Sequence, residues 1–235
     1  AIDDHLGVVC ARNKTHPIVQ WLEMDTWDGV SRVDRVLNAF NFKHQKLSIE
    51  VMLHWLVSAI AALYRDVFSS KITPIIQGEQ SWMKSAILYR IATIPSIAGR
   101  SFLEGESLDP RNRDNVKRCI SSWIVELGEM ESTTQKENGP LKAFLNKSAD
   151  VCRFPYSSRT TDKQRRTVFI GTVNQCDFLT DTTGNKRFMV LPLNGRVNID
   201  CVNEILGWEF SNGEIRCEDE SRIRQFWLEV KSLYL

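Results

Sequence analysis

No cysteine in this chain stands at metal-binding spacing from another. The six, Cys10, Cys119, Cys152, Cys176, Cys201 and Cys217, are scattered without a C-x-x-C pair, so neither a zinc site nor a disulfide framework is indicated. Net charge is also nearly absent, at +1. That gives no global attraction to nucleic acid, and any DNA contact has to come from a local patch. No secretory leader is visible, and no apolar run reads as long enough to span a membrane. The expectation is a cytoplasmic protein with no membrane partner. Internal repeats and low-complexity tracts are missing too. The start at Ala1 without methionine and the end on a helical pattern are what a fragment of something longer would show. The 235 residues have the composition of an ordinary globular chain and suit one domain or one and a half.

One further lack falls in the most informative stretch, Ile75-Ile76-Gln77-Gly78-Glu79-Gln80-Ser81-Trp82-Met83-Lys84-Ser85-Ala86-Ile87-Leu88. It reads as a buried strand, a tight loop and a helix, the layout of a phosphate-binding loop G-x-x-x-x-G-K-[ST]. The second glycine is missing, because Met83 occupies its place. A triphosphate needs inward backbone N–H groups, a helix N-terminus behind them and a cation reaching the outer phosphates. Lys84 can supply the cation, and the Ser85 hydroxyl can hold magnesium. Gly78 is expected to let the chain leave the strand sharply. Met83 removes a permissive position but no backbone N–H. The other reading is an ordinary strand-turn-helix with a solvated Lys84.

Around this stretch the chain divides in three. Residues 1–70 read as a helical region, with a short helix opening at Pro17, a second carrying Val33, Val36, Leu37 and Phe40 on one face, and a third from about Ser48 to Val67. Residues 71–200 alternate strands and helices, which argues for an α/β fold with a mainly parallel sheet. Its strands are Ile72–Ile76, Trp123–Leu127, Thr167–Asn174 and Phe188–Leu191, and Glu104 to Arg113 reads as polar loop. Residues 201–235 read as a C-terminal helical segment, with Ile223, Phe226, Trp227, Val230 and Leu233 apolar at helical spacing.

Strand ends supply the remaining candidates. Glu126 and Glu129 follow an apolar strand, where one acid can hold the magnesium shell and another can orient the attacking water. Acids after strands are common, and taken alone either is more readily a solvated surface acid. Asn174 ends the next strong strand and can contact water or the γ-phosphate, or simply make a turn. Gly184-Asn185 makes a tight turn before a strand, holding Lys186 and Arg187 on a rigid base. Arg187 there could reach a neighbouring subunit's nucleotide as an arginine finger, or it could be an exposed charge at a hairpin tip. The run from Arg153 to Arg166 interleaves cations with Phe154 and Tyr156. Arg153, Tyr156, Arg159 and Lys163, with Lys142 on the preceding helix, suit contact with a single-stranded nucleic-acid backbone.

These pieces, in this order, resemble the virulence-associated E family of phage and mobile-element proteins. The matching segments are Trp27-Asp28-Gly29-Val30-Ser31-Arg32, the loop from Gly78 to Ser85, Trp123 to Glu129, Lys142-Ala143-Phe144-Leu145, Phe154-Pro155-Tyr156, Phe169 to Asn174, Phe178 to Phe188, and Phe226-Trp227-Leu228-Glu229. The resemblance covers roughly residues 16–235. It implies an AAA+-like P-loop core of the superfamily-three kind, akin to the helicase half of primase-helicases. By that resemblance Gly78, Gln80, Lys84 and Ser85 bind nucleotide, and Ser85 and Glu126 hold magnesium. Glu129 orients water, Asn174 is the sensor amide, and Arg187 is the finger in trans with Arg166 a second candidate. The basic segment corresponds to a DNA-contacting hairpin. ATP and Mg2+ are the implied cofactors. Single-stranded DNA, further copies in a ring such as a hexamer, and replication proteins of the host or element are the implied partners. A primase domain before Ala1 is left open. Where the family usually has Gly-x-Gln-Gly, Ser81 replaces the glycine after Gln80.

Three functions follow as expectations. The first is an ATP-driven helicase or translocase in replication of a phage or mobile element. The second, motivated by Ser81-Trp82-Met83, is a degenerate loop that binds DNA or a replication partner without turnover. The third is a small regulatory scaffold, motivated by the near-neutral charge.

Overall fold

The computed structural model describes residues 16–97, 99–128, 140–153, 160–174 and 187–235. The apolar periodicity of the first seventy residues becomes three helices, α1 (Pro17–Leu22), α2 (Val33–Asn38) and α3 (Gln45–Tyr64). Pro17 opens α1, where its missing N–H costs nothing. Helix α3, with 20 residues and a mean hydropathy of 1.6, is in fact long and apolar enough to cross a membrane by length and composition. That corrects the sequence reading. In this fold it is the central core helix, with Met52, Leu56, Ala59 and Ile60 fully buried.

After residue 70 come β1 (Thr73–Gln77), α4 (Lys84–Ala92), β2 (Phe102–Glu106), α5 (Arg113–Cys119), β3 (Ile124–Leu127), β4 (Ala149–Arg153), β5 (Thr160–Gln164), β6 (Val168–Val173) and β7 (Phe188–Pro192). Residues 140–145 are also helical. Five strands form one sheet in the order β2-β3-β6-β1-β7, and every neighbouring pair is parallel. The expected α/β class with a mainly parallel sheet is therefore present. β3 and β6 are buried at every position, as strands covered on both faces must be. Pro74 is tolerated because it precedes Ile75, where pairing with β6 begins.

β2 corrects the expected polar loop. It is an edge strand, with Glu104 and Gly105 exposed and a register shift between Leu103 and Glu106. β4 and β5 pair as an antiparallel hairpin, Ala149 opposite Gln164 through Arg153 opposite Thr160. The last third holds α6 (Ile199–Leu206), β8 (Trp208–Ser211), β9 (Glu214–Cys217) and α7 (Glu220–Tyr234). The β8–β9 hairpin is an addition to the helical segment expected there. Ile223, Phe226, Trp227 and Val230 of α7 are fully buried, whereas Leu233 is exposed.

Candidate phosphate-binding site

β1 lies between β6 and β7, so chain connections diverge at its C-terminal end. In open α/β sheets ligands settle at such a point. The loop that follows is pinned from both sides. The Gly78 N–H donates to the Val173 carbonyl, and the Val197 N–H donates to the Trp82 carbonyl. Ser81 and Met83 hold φ of +68° and +64°, the left-handed region where glycine is the default residue. Gly78 has no positive φ, which corrects the reason expected for it. A Cβ there would lie 2.7 Å from the Trp82 ring and 3.3 Å from Leu193. Gly78 is thus required by close approach, and Trp82 lies against that side of the loop.

Behind the loop α4 begins at Lys84. Met83, at its N-cap, makes no side-chain capping bond, whereas Asn112, Asn198 and Asp219 cap α5, α6 and α7. Uncapped N–H groups and the positive end of the helix dipole favour an anion at this place.

Lys84 is buried, and its Nζ donates to the Gly78 carbonyl at 2.7 Å, the Glu79 carbonyl at 2.8 Å and Asn174 Oδ1 at 3.0 Å. The Ser85 hydroxyl donates to Glu126 Oε1 at 2.5 Å, and Thr172 Oγ1 donates to the same oxygen at 2.8 Å. Glu126 has no exposed surface, and its other oxygen, Oε2, is buried without a hydrogen-bond partner. A buried carboxylate oxygen in that state is costly unless a cation or donor joins it. Ser85 and Glu126 therefore fit a hard divalent cation, which takes oxygen ligands. Burial and the Glu126 charge push the nearby Glu104 carboxyl up, against the opposing pull of Arg90.

These side chains line a cleft of about 460 Å³, completed by Gln80, Ser81, Met83, Gly105, Ser107 and Gly128. Its far wall is tight. A Cβ on Gly128 would come within 3.0 Å of Gly105 Cα. The structure thus brings together Gly78, Gln80, Lys84, Ser85, Glu126 and Asn174 from three strand ends. Trp82 is not part of the lining, so the cleft stays open.

Other predicted residues lie elsewhere. Arg187 precedes β7, whose Phe188 is level with Thr73 at the start of β1. The arginine is therefore at the opposite end of the sheet from the loop. Arg166 precedes β6 and donates to the Leu63 carbonyl of α3. Beside it, His16 is pushed down to about 4, first by burial and then by Arg166, Lys163 and Arg100. Lys163 donates to the Ile120 carbonyl at 3.0 Å. Lys142 is only 9% exposed, a departure from the surface patch expected for it. Arg165, within the basic run, is also buried and makes a two-pronged ion pair with buried Asp150. Arg153 ends β4 opposite Thr160. Glu129, Tyr156, Arg159 and the turn Gly184-Asn185-Lys186 lie outside the described residues.

Thr172 was missed by sequence reading. The available signal was its position two before Asn174, since alternate residues of an extended chain face the same side. The lining from Gly105 and Ser107 was missed because β2 read as loop.

Comparison with known proteins bears on the fold. Three solved structures of the NrS-1 C-terminal region, all apo forms, are similar to this chain. One has a TM-score of 0.58 at 13% identity, covering 92% of this chain and 48% of that one. The second has 0.56 at 16%, covering 92% and 48%, and the third 0.55 at 14%, covering 93% and 55%. The chain thus spans about half the length of those structures, and at these identities the likeness is one of fold alone. No curated protein matches. A family model does, over residues 22–234. By that match the chain belongs to the virulence-associated protein E-like domain family.

Proposed function

We propose that this chain is an ATP-dependent motor domain acting on single-stranded DNA in the replication of a phage or mobile genetic element. The observation that carries the reading is the convergence of Lys84, Ser85, Glu126 and Asn174 on one open cleft at the head of an uncapped helix. That arrangement suits a triphosphate and its cation. Lys84 would exchange the loop carbonyls for the outer phosphates. Ser85 and the unpartnered Glu126 oxygen would hold magnesium, which when bound polarises the phosphate oxygens and offsets their charge. In hydrolysis, water oriented by Glu129 attacks the γ-phosphorus. The bond to the β–γ bridging oxygen breaks, ADP and inorganic phosphate leave, and the water proton passes to the acid. Asn174, released from Lys84, would contact the water or the γ-phosphate. Arg187, directed away from its own cleft, would serve a neighbouring copy in a ring, and the β4–β5 hairpin would track DNA.

Ser81 and Met83 favour a second reading, a loop that binds DNA or a replication partner without turnover. One measurement separates the two: binding and hydrolysis of magnesium-ATP by the full chain, with and without single-stranded DNA. The motor reading expects DNA-stimulated turnover that falls at least about 100-fold in Lys84→Ala, the scale of removing one preorganised charge partner. Turnover unchanged by that substitution, or DNA binding with no heat from magnesium-ATP, would sink it.

A further inference from the structure

Glu126 is the one acid among the described residues that line the Lys84 cleft. A single carboxylate can meet a cation through one oxygen or through both. It has about four acceptor places, two on each oxygen. On Glu126 they are filled unequally. The Ser85 hydroxyl at 2.5 Å and the Thr172 hydroxyl at 2.8 Å both donate to Oε1, and Oε2 accepts from neither. Oε1 is therefore capped, and Oε2 is bare.

The fold holds this asymmetry in place. Glu126 lies on β3 opposite Ile170 of β6, and Thr172 lies two residues further along β6, opposite Ile76 of β1. Both strands are buried at every position, so packing fixes both side chains. A β-branched threonine has restricted χ1 freedom, which keeps its hydroxyl on Oε1. Ser85, in the first turn of α4, can spend its hydrogen on Oε1 and still offer a lone pair to a cation. Thr172 supplies the second donor, the one that closes Oε1.

The two common hard cations ask different things of such a group. Magnesium requires near-octahedral geometry at about 2.0–2.1 Å. Calcium takes about six to eight oxygens at roughly 2.3–2.6 Å and accepts a carboxylate through both oxygens. That two-pronged grip needs Oε1, which has no place left.

We infer that Thr172 is a specificity-determining residue: by closing Oε1 it limits Glu126 to a one-oxygen contact and sets the site for magnesium over calcium. This rests on the nucleotide reading above, because one carboxylate and one hydroxyl hold magnesium firmly only with phosphate oxygens beside them.

Calorimetric titration of ADP into the full chain, with magnesium or with calcium, tests this without any turnover. Wild type should bind ADP more tightly with magnesium than with calcium. Thr172→Val keeps the side-chain shape and removes the hydroxyl. It should narrow that preference by about 10-fold or more, the scale of losing a bond that orients a metal ligand. Thr172→Ser keeps the donor and should keep the wild-type preference. Wild-type binding with no preference, or an undiminished preference in Thr172→Val, overturns the inference and leaves the nucleotide reading standing. An equal loss with both cations overturns it too and makes the threonine structural. Loss of the preference in Thr172→Ser rules out the hydroxyl as its cause, whether or not Thr172→Val folds. No binding of ADP with either cation removes the nucleotide reading and the inference with it.

Discussion

At Ser81 and Met83 the backbone keeps positive φ although both residues carry a Cβ. The left-handed region costs a side-chain-bearing residue about 1–2 kcal/mol. Glycine escapes that cost but loses about 0.5–1 kcal/mol through its freer unfolded chain. Ser81 is exposed, so its substitution tests the backbone with little change in packing. Ser81→Gly should stabilise the chain by up to about 1 kcal/mol, or roughly 2–4 °C in Tm for a chain of this size. Ser81→Val should lower Tm by a similar amount, because a β-branched residue resists positive φ. Thermal denaturation of the two variants decides it, and equal melting temperatures would remove the strain argument. The lysine, serine, acid and amide were legible as residues because each follows an apolar strand or opens a helix. The conformation of the loop was not, since two non-glycine residues gave no sign that they adopt a glycine's backbone.

Two motifs that looked separate in the sequence are halves of one structure at the level of elements. Trp27-Asp28-Gly29-Val30-Ser31-Arg32 leads into α2, and Phe226-Trp227-Leu228-Glu229 lies on α7. Glu229 Oε2 accepts from the Arg32 and Val33 N–H groups at 2.6 and 2.9 Å, and its Oε1 accepts from the Ser31 hydroxyl at 2.8 Å. Gln225 adds a bond from the Asp28 N–H at 2.9 Å. A carboxylate some two hundred residues away therefore does the work of an N-cap for α2, whose own N-cap residue, Arg32, makes no side-chain capping bond. Glu229→Ala should cost about 2–4 kcal/mol by leaving these donors without their acceptor. Glu229→Gln should recover part of that, and urea denaturation measures both. A loss under 0.5 kcal/mol would show that the pairing carries no weight. Sequence periodicity found α2 and α7, because an amphipathic stripe is local. It could not pair their motifs, and it missed β2, β8 and β9, where short exposed strands lack a continuous apolar signal.

Across the whole molecule, one apolar cluster runs from Ile18 on α1 to Val230 on α7 and takes in α3 and the sheet. Trp123 and Trp227 lie with ring centres 4.4 Å apart. Trp55, Trp123, Trp208 and Trp227 each donate to a buried backbone carbonyl, of Phe169, Ala59, Arg90 and Ile91 respectively. Helices α1 and α7 are thus built into the same core as the helix that follows the β1–α4 loop. Removing residues 220–235 should abolish cooperative unfolding, since losing Phe226 and Trp227 alone costs about 3–5 kcal/mol each, comparable to total stability. Calorimetry of the shortened chain tests this, and an intact transition would show the rest to be self-sufficient. The parallel sheet was legible from alternating strands and helices, whereas the merging of α1 and α7 into one core was not, because long-range packing leaves no local pattern.

Trp82 differs from those anchored indoles. It is half-buried, rides over Gly78 and sits two residues before Lys84. Any reshaping of the loop must slide that ring between packed and wetted surroundings. The motion therefore carries its own fluorophore, whose emission colour follows the loop once the other six tryptophans are replaced.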